Sequence, residues 1–272
     1  MQTVASRPAI KPRNPDLVFD ETIPKHWFAD SMLASHMVNG VNLLFPAGER
    51  FFVRSVHHYL DKLEDPELKK QVRGFFGQEG RHARAHEDFF ACMEAQGYEI
   101  REFLRLYEKI GYEYIEPNAP AAFRLATTAA LEHYTAALAH SALRYKLLDK
   151  AHPALRDLLN WHASEEIEHR AVAFDVLNKV APGYGLRMAG FAMATLLLGA
   201  FWAAAMITLI RQDTRGQSTN FSADFAKFKT IGVRPRRLFR MVKAYLRPDF
   251  HPLQMDDMDE LAREWLAQKG MA

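Results

Sequence analysis

Six residues of this chain repeat a metal-binding pattern. Glu49 precedes Glu79-Gly80-Arg81-His82 by about one helix and a turn, and Glu132 precedes Glu166-Ile167-Glu168-His169 in the same way. One Glu on each of two helices, with a Glu-x-x-His on each of two others, is a side-chain set that holds two metal ions inside a four-helix bundle. Carboxylate oxygens are hard donors and imidazole nitrogens borderline ones. Iron therefore fits first, and manganese or a mixed iron–manganese pair also fits. Two such ions can acidify water, polarise a carbonyl or phosphoryl group, or react with O2. Glu49, Glu79, Glu132 and Glu166 would act in catalysis through the metals.

The elements that must position these residues are readable. Glu and His three apart share one helix face. Alone that spacing is weak, because it also describes an exposed helical pair. The levels make it specific. The midpoint of Glu49 and Glu79 falls in Leu63-Glu64-Asp65-Pro66, and that of Glu132 and Glu166 falls in Asp149-Lys150-Ala151-His152-Pro153. Both are turn sequences with Pro at a helix start. Antiparallel helices place residues equidistant from their turn at one height. Helical apolar spacing covers 28–62, 66–96, 120–149 and 153–180. The connection from 96 to 120 is long enough for a crossover and holds a short helix near 100–109. The expected fold is all-α, a four-helix bundle over 28–183.

His162 lies one turn before Glu166, so His162, Glu166 and His169 form one stripe and His162 is a seventh candidate ligand. His86 continues the stripe of His82. It is expected to support the site, with metal binding the minority reading. Glu165 and Glu168 are expected to point outward, and His57 and His58 to lie at the surface. A solvated helix face is the alternative for the Glu-x-x-His residues. Glu49 and Glu132 sit among apolar neighbours, where an unpaired carboxylate is costly.

On these residues, the stretch from about 30 to 180 resembles the ferritin-like di-iron carboxylate proteins. The His162-x-x-x-Glu166-x-x-His169 run resembles the arylamine N-oxygenases, which carry one extra site histidine. The organisation, including an apolar segment further on, is similar to a bacterial family described as predicted metal-dependent hydrolases. These resemblances imply an O2-activating di-iron oxygenase or oxidase that takes a small lipophilic substrate and needs an electron donor. The alternatives are a metal-dependent hydrolase and, last, a non-enzymatic metal-binding protein.

The 272 residues carry a net charge of +2. That figure hides an asymmetry: positions 211–251 hold ten Lys/Arg and three Asp/Glu. Met188–Ile210 is uncharged over 23 residues, long enough at 1.5 Å per residue to cross a hydrocarbon core of about 30 Å. Arg187 and Arg211 flank it. The segment 186–211 is therefore expected to associate with a membrane or to pack as a fifth helix or dimer contact. The tail 212–272 is basic and helical. Within it, 233–247 forms an amphipathic helix suited to anionic lipid, with Leu238, Met241, Val242 and Tyr245 on one side. Residues 1–27, with four prolines, read as an extended arm. A single cysteine, Cys92, fits a reducing compartment, and no secretory signal is seen at the start. The expected location is the cytoplasmic face of a membrane. No glycine-rich phosphate loop, cysteine cluster, Ser/His/Asp set or nucleic-acid module is present.

Overall fold

A computed structural model describes residues 9–216, 218–255 and 257–272. All named elements among these residues are helical. The chain forms α1 (Met32–Asn42), α2 (Phe45–His57), α3 (Pro66–Ala95), α4 (Arg101–Glu108), α5 (Glu116–Asn118), α6 (Ala121–Arg144), α7 (Pro153–His169), α8 (Val172–Val180), α9 (Tyr184–Thr214), α10 (Phe221–Lys229), α11 (Pro235–Ala244) and α12 (Met258–Gln268). A π-helical stretch, Lys109–Ile115, joins α4 to α5. The short helix expected near 100–109 is α4.

Two expected long helices are each broken. The helix expected over 28–62 divides at Leu43–Leu44. Pro46 at the start of α2 has no amide to give the carbonyl of Asn42, so the ladder stops there. The helix expected over 153–180 divides at Arg170–Ala171. There the buried Arg170 guanidinium turns back onto the Ile167 carbonyl and reaches Asp259 of α12 at 2.6 Å. Helix α3 runs unbroken for 30 residues, started by Pro66 and capped by Asp65, which accepts from the Glu67 and Leu68 amides.

Helix α2 packs on α3, α6 packs on α7 and α8, and α2 also meets α6 while α3 meets α7. These helices enclose a polar layer between two apolar clusters. On α3, Phe75 of one cluster precedes Glu79, His82 and His86, and Phe89 of the other follows them. On α7 and α8, Trp161 and Val172 bracket the layer in the same way.

The arm is anchored in the core at Ile10, Ile23 and Trp27; residues 1–8 lie outside the described residues. Ile10 is buried against Gly74, where a Cβ would stand 2.6 Å from the Ile10 carbonyl oxygen. Pro12 sits on Gly77, where a Cβ would stand 2.4 Å from its ring. Glycine is needed at both positions for this close approach. The arm then bridges to the α6–α7 turn through Phe28 and Ala151.

Helix α9 lies along α6 and α1. Gly190 allows the contact, since a Cβ there would be 2.5 Å from the Ala126 backbone. The opposite face of α9 is exposed, Leu196 and Ile207 included. Arg187, at the start of the apolar stretch, does not face solvent. It is buried among the rings of Phe174, Tyr184 and Tyr245. Helix α11 docks its Leu238–Met241–Val242–Tyr245 side on α6, and α12 folds back onto α7.

Candidate metal centre

The structure brings all seven candidate ligands together. Glu49 comes from α2, Glu79 and His82 from α3, Glu132 from α6, and His162, Glu166 and His169 from α7. All are buried, as is His86. Glu166 is the hub. Its Oε1 lies 2.9 Å from His162 Nε2, 3.4 Å from His169 Nε2 and 3.7 Å from His82 Nδ1. His169 Nε2 also approaches Glu79 at 3.1 Å and Glu132 at 3.4 Å. Overlapping triads have their donor atoms within 4.8 Å of one another: Glu79–Glu166–His169, His82–His162–Glu166, Glu49–Glu79–His82 and Glu49–His86–His162.

Of these contacts only His162 Nε2 to Glu166 Oε1 is a hydrogen bond. Both oxygens of Glu49, Glu79 and Glu132 lack a hydrogen-bond partner, as do Glu166 Oε2, His82 Nδ1 and His169 Nε2. Unsatisfied buried carboxylates are expensive, and buried oxygen and nitrogen donors that converge on one point are what a cation requires. The residues present therefore fit a metal group, and the sulfur-free Glu/His donor set suits hard or borderline ions.

The far nitrogens of two imidazoles are held from outside. His82 Nε2 meets Glu165 Oε2 at 3.0 Å, leaving Nδ1 toward the cluster. His169 Nδ1 meets Gln78 Oε1 at 2.8 Å, leaving Nε2 toward the cluster. The supports cross over. Gln78 precedes the first motif's Glu79 and holds the second motif's histidine; Glu165 precedes the second motif's Glu166 and holds the first motif's histidine. Arg13 of the arm joins both chains. It donates to Glu165 at 3.1 Å and to Glu168 at 2.7 Å, and Glu168 in turn accepts from the Gln78 amide at 2.8 Å. Such outer partners fix tautomer and ring direction at metal sites.

Glu165 therefore corrects the outward expectation: it is fully buried, while Glu168 is only partly so. Counting one stripe on α7 missed it, because the arm covers a second stripe. The signal that could have found it is the polar residue before each motif Glu, one turn before the histidine it shares a helix with. His86 supports His162, Nε2 to Nδ1 at 2.7 Å, and Phe45 packs on both rings. His57 and His58 are exposed, as expected.

Burial and neighbouring carboxylates push the Glu49 carboxyl well above its ordinary range. Burial likewise pushes Glu132 well up, against the pull of His169. Burial raises Glu79 to about 7, with His169 opposing. Burial also works against a charged Glu166, yet His169 and His162 hold it well below the usual carboxylate range. The cluster stores protons that a metal would displace.

Two apolar cavities reach this centre. One, about 930 Å³ including its open mouth, touches Glu49 and is walled by Tyr107, Tyr112, Leu197 and Phe201. The other, about 1090 Å³, touches His162 and Glu166 and runs past Trp202 to Arg234. Phe45 and Leu138 line both. The hydroxyls of Tyr107 and Tyr112 meet at 2.5 Å in the first. These tyrosines came from the connection after α3, where sequence spacing carried no site signal.

A family model described as "predicted metal-dependent hydrolase" matches residues 11–256. No curated protein and no solved structure is matched by the chain.

Proposed function

The chain belongs to the predicted metal-dependent hydrolase family, and from that premise we propose that it is a hydrolase with a dinuclear metal centre acting on a lipophilic substrate. One observation carries the reading: buried, unpartnered carboxylate and imidazole donors converge where two apolar cavities end. Glu49, Glu79, His82, Glu132, His162, Glu166 and His169 would hold the metals. Bound there, the metals supply Lewis acidity and a source of acidified water. The chain does the rest. Arg13, Glu165 and Gln78 fix the imidazoles. Phe45 and Leu138 keep bulk water away from the donors. His86, buried and hydrogen-bonded to His162, holds that ring in place.

A second reading, O2-dependent oxidation by iron or manganese with an external electron donor, is favoured by the cavity walls. They are almost wholly hydrocarbon next to the donors, which suits attack on an unactivated carbon. One experiment separates the two. The protein is loaded anaerobically with ferrous iron or manganese and given a p-nitrophenyl acyl ester, and O2 is then admitted. Nitrophenol release before O2, absent in Glu166→Ala, supports hydrolysis. O2 uptake without ester cleavage replaces it with the oxidase reading. Metal bound with neither activity leaves a metal-binding protein.

We further propose that the chain sits on the cytoplasmic face of an anionic membrane. The outer face of α9 is apolar, and the exposed cations of α11, with Phe239 among them, lie beyond it in the chain. Each cation near anionic lipid contributes about 1 kcal/mol. Because α9 is packed lengthwise on α6 and α1, it would lie in the interface and not span it. Flotation with anionic liposomes tests this. A soluble dimer joined through α9 would refute it.

A further inference from the structure

The cavity that ends at His162 and Glu166 has a polar address at its other end. Its wall follows α6 from Thr135, one turn past Glu132, to Tyr145 just beyond the helix end. Ten residues at 1.5 Å each make this about 15 Å. Between the ends the wall is hydrocarbon, with Val38, Leu138, Ala142 and Trp202 among its residues. At the Tyr145 end stands Arg234, the one Lys or Arg on this wall among the described residues. Its guanidinium lies over the Tyr145 ring at 5.0 Å. Arg237 donates to the Tyr145 hydroxyl at 3.0 Å and lies over the same ring at 5.6 Å. Neither arginine pairs with a carboxylate among the described residues, whereas Arg144, Arg247 and Lys227 nearby in the chain each do. Both arginines are exposed, so two solvent-facing cations held against one aromatic ring at the cavity mouth offer a receptor for an anion.

We propose that the substrate is a single-chain amphiphile whose anionic head, a carboxylate or phosphate, sits at Arg234 and Arg237 while its apolar chain fills this cavity. The bond that reacts is then separated from the anion by about 15 Å of hydrocarbon. The head does not lie at the reacting centre. This rests on reading the Glu–His cluster as that centre, and it holds for hydrolysis and oxidation alike. It also gives the cavity two different ends: His162 and Glu166 stand at the inner end, and Arg234 at the outer one.

Binding is read on the full chain by quenching of Trp202, which lines the cavity, using bromine-labelled decanoate and decyl phosphate as probes and bromodecanol as the neutral control. A Trp202→Phe variant identifies the quenched ring. The anionic probes are expected to bind at least about tenfold more tightly than the alcohol, the scale of one charge-assisted contact. Arg234→Gln should bring them down to the level of the alcohol. Arg240→Gln, an equal loss of charge on α11 away from the cavity wall, should change nothing. Ala142→Phe, which fills the passage, should abolish binding of all three. Equal affinity for acid and alcohol, an equal effect of Arg234→Gln and Arg240→Gln, or full binding in Ala142→Phe would each overturn the proposal. Metal content is measured on the same samples. Amphiphile bound without metal removes the metal reading and leaves this pocket standing; metal retained with no amphiphile bound does the reverse. Stronger binding of decyl phosphate than of decanoate assigns the head as a phosphoester, and the opposite order assigns a free acid.

Discussion

Among the described residues, the groups of three or more metal-capable side chains fall into a bundle cluster and a cluster around Asp213, and the two differ in what their polar atoms lack. At the junction of the arm, α1 and α9, Asp213 accepts from His26 at 2.8 Å, from His36 at 2.7 Å and from the Tyr98 hydroxyl at 3.0 Å. Burial opposes its charge, yet the two histidines and Tyr98 hold it well below the usual carboxylate range. It has donors enough and ties three segments together. In the bundle, Glu49, Glu79 and Glu132 have none. By residue type and spacing alone both clusters could hold a metal. Hydrogen-bond satisfaction separates a clasp from a centre waiting for a cation.

The sharpest break of this comparison is in stability without metal. Replacing an unpartnered buried carboxylate by an apolar residue of similar size removes a cost, so Glu132→Met should stabilise the metal-free protein by about 1–4 kcal/mol while weakening metal binding. Asp213→Ala should act the other way. It strands His36 Nε2 in the interior and costs about 1–3 kcal/mol, with metal binding unchanged. Chemical denaturation of metal-stripped samples reads both. Destabilisation by Glu132→Met would mean that its carboxylate has a protein partner after all.

The contrast also marks what sequence could and could not supply. The level test around the two turns brought Glu49 to Glu79 and Glu132 to Glu166 because antiparallel helices obey a local rule. Pro46 was a visible break signal inside the first helix. The break at Arg170 had no such signal; its side chain pairs with Asp259, 89 residues away. Glu165 looked outward for the same reason. Its burial comes from Arg13, 152 residues distant, and no helical period reports a covering segment. The Asp213 clasp likewise joins residues 177 or more apart in its histidine bonds.

A smaller effect should come from the crossed supports. Arg13→Ala or Glu165→Ala leaves every candidate ligand in place but frees the His82 ring. Metal affinity should fall about 10–100-fold, measured by competition with a chelator, while His26→Ala leaves it unchanged. Equal losses in all three variants would point to general loosening.

The smallest, and opposite in sign for the two forms, is the response to pH. The folded metal-free protein holds a proton on Glu79 up to about 7, whereas the unfolded chain releases it near the ordinary glutamate value of 4.5. A raised carboxyl therefore lowers stability as pH rises through that window. Metal must displace the same proton, so affinity rises over the same window. Between pH about 4.5 and about 7 the melting temperature should fall without metal, and the gain on adding metal should grow, with both levelling off above that window. A gain independent of pH would place the bound metal away from Glu79.

The central claim is that the unpartnered donors, and not the clasp, hold two metals. Elemental analysis of the purified full chain and two variants tests it most directly. The account predicts two equivalents of iron or manganese per chain in the parent and in Asp213→Asn, and loss of most of that metal in Glu166→Ala, which removes the hub. Full metal retained in Glu166→Ala, or metal lost from Asp213→Asn alone, would contradict it.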